Sequence, residues 1–163
     1  MKQKRVFFTV GVPASGKTSF INKQINKYGG IHISRDAVRF ALLKPTDNYF
    51  ELENKVFEIF VKKVQEAIDS EIEDVYVDAT HISYGSRKKI LNRLNLDNAN
   101  EIIMLYFDVA ADVAIARNES RTGRSLVPET AIRSMAKKIT KPTPGENFRV
   151  WTIDENGEVI SIE

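Results

Sequence analysis

Cysteine is absent from the 163 residues, so neither a disulfide framework nor a thiolate metal site is open to this chain, and a reducing compartment suits it. Long apolar runs are absent too. Nothing approaches the roughly 20 residues that a membrane span requires. The apolar stretch after the basic start MKQKR is too short for the core of a secretory signal and leads straight into GVPASGK. A cytoplasmic protein with no membrane partner is expected. Excess charge of one sign is also lacking: 24 Lys and Arg stand against 22 Asp and Glu, a net +2. That is too little to argue for nucleic acid by itself, so any polyanion site has to come from local clustering. Linkers, repeats and low-complexity segments are missing. At 42% hydrophobic and 28% charged, the chain reads as one domain over residues 1–163 that can bury a core without staples.

What is present is an alternation of apolar runs and helical patterns. Arg5 to Val10, Ile31 to Ser34, Asp74 to Thr80, Glu101 to Val109 and Phe148 to Ile153 read as strands. Several are apolar at consecutive positions, as happens when both faces of a sheet are covered by helices. The spacing predicts helices over Lys17 to Lys27, Arg35 to Leu43, Tyr49 to Ser70, Ser83 to Leu96, Ala111 to Glu119 and Pro128 to Ile139, the last with proline in its first turn. Such alternation argues an α/β fold with a parallel sheet and right-handed crossovers. After the loop KPTPGE, the tail VWTIDENGEVISIE reads as a hairpin over residues 148–162 turning at Asn156-Gly157.

The sharpest signal is VFFTVGVPASGKTSF. Gly11, four residues, Gly16, Lys17 and Thr18 match the phosphate-binding loop, and they sit where that loop must sit, between a predicted strand and a predicted helix. Glycines let the backbone curl so that successive N–H groups point inward, and the helix aims its N-terminal dipole at the same spot. The result is an anion cradle for a nucleoside triphosphate. Gly11, Pro13, Ala14, Ser15, Gly16, Lys17, Thr18 and Ser19 are therefore the expected ATP contacts. Lys17 would reach the β- and γ-phosphate oxygens and Thr18 would enter the shell of Mg²⁺.

Three further clusters fall at the carboxyl ends of strands, where open α/β sheets bind ligands. In SRDAVR, Asp36 and Arg39 lie one helical turn apart. A carboxylate with an arginine beside it suits an acceptor site, although a capped helix start with Ser34 or Asp36 as N-cap explains the same letters. Asp78, ending VYVD, resembles the strand-terminal carboxylate that helps hold Mg²⁺, and a turn aspartate is its plainer reading. RNESRTGRSLVPE gathers Arg117, Arg121 and Arg124 around a Thr122-Gly123 break. Arginines on such a lid, near residues 117–127, can close over a transferring phosphate and exclude water, where the plainer reading is a solvated basic loop.

The blocks GVPASGKT, SRDAVR, VDATHIS, FDVAADVAIARNESRTGR and VPETAIRSM occur in the order, and close to the spacing, of the kinase domain of phage polynucleotide 5′-kinases. The chain resembles that family from Phe7 to Lys138. The resemblance implies a P-loop kinase fold, a parallel sheet in the order 2-3-1-4-5, and transfer of the γ-phosphoryl of ATP to a 5′-hydroxyl of DNA or RNA with Mg²⁺. It implies that Asp36 is the general base, that Arg39 grips an acceptor phosphate, that Asp78 lies in the acceptor pocket, and that Arg121 contacts the donor phosphates. Thr80, in VDATHIS, joins the acceptor side, and Lys17, Asp36 and Arg121 become the expected catalytic set. The phage pattern differs by an inserted residue near Asp78 and Arg124. No Asp-x-Asp signature of a linked phosphatase is present, so 3′-end processing would belong to another protein. Two other functions fit the same donor loop. One is a small-molecule kinase with an acceptor pocket built by the helix from Tyr49 to Ser70, and the other is a nucleotide-driven switch, which has no use for the Asp36–Arg39 pair.

Overall fold

The protein, seen here as a computed structural model, is described for residues 3–48, 51–144 and 148–163. Its elements follow the expected alternation: β1 (Arg5–Val10), α1 (Lys17–Tyr28), β2 (Ile31–Ser34), α2 (Arg35–Leu42), α3 (Glu53–Asp69), β3 (Asp74–Asp78), α4 (Tyr84–Arg93), β4 (Glu101–Phe107), α5 (Ala111–Glu119), α6 (Glu129–Lys138), β5 (Arg149–Ile153) and β6 (Val159–Ile162). A 3₁₀ turn at Gly123–Ser125 interrupts the segment between α5 and α6. The strands form one sheet in the order β2-β3-β1-β4-β5-β6. The first five are parallel, and β6 is antiparallel to β5. The 2-3-1-4-5 order is thus observed with a sixth strand added, because the tail hairpin completes the sheet at its edge.

The continuous apolar runs have a physical cause in this arrangement. Successive side chains of a strand point to opposite faces, so Val6, Phe8 and Val10 enter one core while Phe7 enters the other. On the first face, α3 contributes Val56, Phe57, Phe60, Val61 and Val64 at helical spacing. On the second, Phe20 and Ile21 of α1 pack with Phe7, Tyr76, Ile103 and Leu105. Phe7 stacks on Tyr76 with centroids 4.5 Å apart and meets Trp151 edge-on at 5.6 Å. A third, smaller cluster of Val12, Ala114, Ile115 and Ile132 ties α5 and α6 to the phosphate loop.

Several boundaries are shorter than their apolar patterns. β3 stops at Asp78 and β4 at Phe107, because the chain turns away toward the ligand side once the last paired residue is passed. α4 ends at Arg93, short of Leu96. Pro128 is the N-cap of α6 and not part of its first turn. α3 starts at Glu53 behind Leu52, whose φ of 64° is left-handed; Tyr49, the expected start, lies outside the described residues, as do Gly145 and Glu146 of the expected KPTPGE loop. Lys4 finishes the other end of α3, its ammonium donating to the carbonyls of Ala67 at 3.2 Å, Ser70 at 2.8 Å and Ile72. No helix among the described residues is long and apolar enough to cross a membrane.

Candidate active site

A single cleft of about 1080 Å³ opens at the carboxyl ends of the parallel strands. Its donor wall is the loop between β1 and α1. Gly16 precedes α1 with φ 99°, and Ala14 is also left-handed at 64°; these two turns curl the loop. Gly11 lies beneath it, where a Cβ would come within 2.7 Å of Ser15 Oγ and 3.1 Å of Phe107 Cβ, so no larger residue fits without displacement. The Gly11 N–H donates to Thr80 O at 3.0 Å, joining the loop to the end of β3. Lys17 donates to the carbonyls of Gly11 (3.1 Å) and Val12 (2.7 Å). Burial pushes its ammonium down to about 8, against the opposing charges of Asp78 and Asp36 and with the help of Arg121. Ser15 Oγ is buried with no hydrogen-bond partner.

That orphaned hydroxyl, a partly buried ammonium resting on its own loop, and the curled backbone fit a phosphate chain. The metal fit is of a different kind. Among the described residues no group of three His, Cys, Asp or Glu side chains could hold an ion, whereas Mg²⁺ bound with a nucleotide needs only one or two protein oxygens, the rest coming from phosphates and water. Thr18 and Asp78 could supply them, the Thr18 hydroxyl lying 3.4 Å from Asp78 Oδ2.

Asp78 is nearly buried at the end of β3 and pairs with His32 Nε2 at 2.8 Å. Burial opposes its ionisation, but the His32 hydrogen bond and the Lys17 charge outweigh that and hold the carboxyl below its usual range. Thr9 bridges to the same strand end through its hydroxyl, 2.7 Å from Ala79 O. Behind it, His81 Nδ1 donates to Thr9 O at 2.8 Å. Burial lowers the His81 pKa to about 4, so it is a neutral ring with its proton on Nδ1 that braces the turn after β3.

The facing wall, the candidate acceptor side, is made by α2, α3 and α4. Ser34 caps α2 by accepting from Ala37 N at 3.1 Å, so Asp36 is freed from capping and instead sits in the first turn, half exposed. Arg39 donates to Asp36 Oδ1, and to Glu53 through Nε (3.2 Å) and Nη2 (2.7 Å). Arg35 reaches the same Glu53 carboxylate at 2.7 Å. Partial burial works against ionisation of Glu53, but the two guanidiniums prevail and keep its carboxyl below the usual range. Arg39 itself is only 6% exposed, an arginine held in place by carboxylates from two helices.

The segment expected to act as a lid borders the cleft through Arg117, Arg121, Leu126 and Val127. Asn118, 3% exposed, donates to Val127 O at 2.6 Å and accepts from Val127 N at 3.0 Å, pinning the two ends of the segment together across its 3₁₀ turn. Arg121 donates to Ser125 O at 3.3 Å. Arg117 donates to the carbonyl of Glu155 in the β5–β6 turn, and its Nη1 lies 3.5 Å from where a Cβ on Gly16 would be. The Arg124 side chain lies outside the described residues.

The cleft thus gathers the expected loop residues from Pro13 to Ser19 with Asp36, Arg39, Asp78, Thr80, Arg117 and Arg121, while Gly11 supports them from beneath. Glu53, His32, His81, Asn118 and the Glu155–Gly157 turn were not anticipated. Each acts through a partner at least nine residues away in the chain, so no local spacing announces it. The Asn156-Gly157 turn was read for its bend alone, and its position over the phosphate loop follows from sheet closure.

Strand order, crossover pattern and phosphate loop define the P-loop kinase fold. A family model described as an AAA domain, AAA_33, matches residues 6–142, and the chain belongs to that P-loop kinase family. No curated protein sequence matches it. Among solved structures, it is similar to a chain of the Pnkp1/Rnl/Hen1 RNA repair complex, with a TM-score of 0.71 and 20% identity over 85% of this chain and 44% of that one. It is similar to a fungal RNA kinase (TM-score 0.62, 16% identity, 100% and 78% covered). It is also similar to a sugar kinase from Janibacter sp. HTCC2649 (TM-score 0.63, 16% identity, 96% and 87% covered). Identities this low speak to the fold alone.

Proposed function

We propose that the protein is a polynucleotide 5′-hydroxyl kinase, transferring the γ-phosphoryl group of ATP to the end of a DNA or RNA strand in a Mg²⁺-dependent reaction. What supports this reading is the acceptor wall, where Asp36 is paired with Arg39, and Arg35 and Lys89 line the same cleft. A carboxylate that can take a proton, set among guanidiniums that can exchange a carboxylate partner for a phosphate, suits a hydroxyl acceptor that also carries phosphates. A neutral sugar could accept hydrogen bonds from those cations but would offer no charge to pair with them.

In this reading Lys17 leaves its loop carbonyls for the β- and γ-phosphate oxygens, Ser15 Oγ finds its missing partner there, and Thr18 and Asp78 hold Mg²⁺. The ion, when bound, neutralises charge on the phosphoryl oxygens. Asp36 takes the proton of the 5′-hydroxyl as that oxygen bonds to the γ-phosphorus. The bond from that phosphorus to the β–γ bridging oxygen breaks, and ADP leaves with the electron pair. Arg121 and Arg117 offset the charge that gathers during transfer, and the lid keeps out water that would otherwise take the phosphoryl group. Arg39 orients Asp36 and meets an acceptor phosphate. Thr80 and Asp78 border the acceptor. Catalysis is then mostly positioning and electrostatics.

The test is to incubate the protein with γ-labelled ATP and Mg²⁺ alongside 5′-hydroxyl oligonucleotides, sugars, or no acceptor. Label on the oligonucleotide end supports the proposal. Label on a sugar replaces it with the small-molecule kinase reading, which similarity to a sugar kinase favours, and label only in free phosphate indicates a hydrolytic switch.

A further inference from the structure

On the acceptor wall one cation differs from its neighbours. Arg35 and Arg39 are neutralised by Glu53, and Arg39 also by Asp36. Arg93, one turn along α4 from Lys89, is closed in a two-bond pair with Glu58, 2.7 Å at each contact. Lys89 lines the same cleft and is exposed. Among the described residues its ammonium makes no hydrogen bond or ion pair, and its close contact is the face of Phe57, 4.4 Å to the ring centroid. Glu58, whose carboxylate feels the Lys89 charge, is already taken by Arg93.

The location is informative. Arg35 lies over the same Phe57 ring at 5.3 Å, and Arg35 shares Glu53 with Arg39, which holds Asp36. Lys89 therefore sits at the far end of the chain of contacts that begins at the proposed base. An ammonium with open donors, steered by an aromatic face and set along a wall from the reacting hydroxyl, has the chemistry of a backbone phosphate contact: a point charge that needs no fixed geometry.

Resting on the proposed polynucleotide activity, we infer that Lys89 binds a backbone phosphate of the acceptor strand, outside the phosphate met by Arg39. Lys89 thereby makes the enzyme favour acceptors longer than one nucleotide. It takes no part in the chemistry, so its contribution belongs to acceptor KM and not to kcat. Because the contact is a phosphate contact, it displaces a counterion and gives acceptor binding part of its salt dependence.

The experiment measures kcat and KM for a 5′-hydroxyl trinucleotide and for a nucleoside 3′-monophosphate over a range of salt, with Lys89→Ala, Lys89→Arg and, as a control on the same helix, Lys88→Ala. Expected for Lys89→Ala is a roughly five- to tenfold rise in trinucleotide KM, unchanged kcat and ATP KM, and a salt slope of log KM smaller by about 0.7. The mononucleotide should respond little, Lys89→Arg should retain the parent behaviour, and Lys88→Ala should leave it unchanged. An equal rise for both acceptors, or none, with the parent enzyme still labelling the trinucleotide, overturns the role of Lys89 alone. A parent enzyme that labels no polynucleotide overturns both this inference and the activity on which it rests.

Discussion

The two walls of the cleft are built by opposite means. The donor wall is one unbroken segment, Pro13 to Ser19, whose shape comes from backbone turns and whose key cation is partly buried against its own loop. The acceptor wall is assembled from side chains of α2, α3 and α4, the first two joined by ion pairs that converge on Arg39 and Glu53. A backbone cradle serves any nucleoside triphosphate, whereas a wall of paired side chains can be rewired one residue at a time. Damage to the first should be all-or-none, and damage to the second graded and dependent on the acceptor offered.

The largest effect should come from Lys17→Ala. It is expected to abolish transfer to every acceptor while circular dichroism and the melting profile remain those of a folded protein. Normal turnover by the folded variant would break the comparison at its donor end. Next comes Asp36→Asn, which keeps shape and removes the proton acceptor, so kcat should fall by roughly two to four orders of magnitude with little change in ATP affinity. A loss confined to ATP binding would move Asp36 to the donor wall.

Arg39→Ala sharpens the contrast through a cycle in which a nucleoside acceptor is offered with and without a 3′-phosphate. A charge-assisted arginine–phosphate contact of about 1.5 to 3 kcal/mol predicts a roughly tenfold to hundredfold preference for the phosphorylated acceptor that the variant loses. Equal losses with both acceptors would leave Arg39 only its hold on Asp36.

A pH series probes the donor wall more gently. Lys17, with its pKa lowered to about 8 by burial, is charged below that value, so ATP affinity measured by direct binding should drop by about tenfold from pH 7 to pH 9. The stability effect has the opposite sign. Between the folded value of about 8 and the unfolded one of 10.5, the unfolded chain binds more protons, so this residue raises the nucleotide-free protein's stability as pH climbs through that window. Lys17→Ala should flatten that rise, read from chemical denaturation at each pH. The smallest effect is expected of Glu53→Gln. Because Glu53 is about one-third exposed, screening limits the loss to about 1 kcal/mol of stability. Turnover should fall only several-fold as Arg39 loosens its hold on Asp36.

The same contrast explains what could be read from the letters. The strands and helices, their alternation and Gly11 to Thr18 were legible because each is a local pattern: apolar runs for buried strands, glycines where φ must be positive, a lysine at the helix start. The strand order came from the family resemblance alone, since β1 pairs with strands that begin at Asp74 and Glu101. Asp36 and Arg39 were legible as a pair because one helical turn brings them together. Glu53 was hidden, since its meeting with Arg39 depends on how α3 packs against α2, 14 residues later. Asn118 reads as an ordinary helix residue until the chain returns at Val127, and His81 as a turn residue until Thr9 is placed beside it. Ser34, one of two plausible caps, was resolved only by geometry, and that choice leaves the Asp36 carboxylate turned to the cleft mouth.

The position of β1 bears on how the chain acquires its shape during synthesis. β1 is central in the sheet, yet its neighbours begin at Asp74 and Glu101, so the first strand made is without its full set of hydrogen bonds until residues past 100 have emerged. Contacts this distant in sequence slow folding, because loops must close before pairing repays their entropy. The nascent β1, with its apolar run Val6 to Val10, spends that interval unpaired. It would be the segment most in need of a holding chaperone, and because Val6, Phe8 and Val10 end in one core and Phe7 in the other, its apolarity cannot be reduced without destabilising the finished fold.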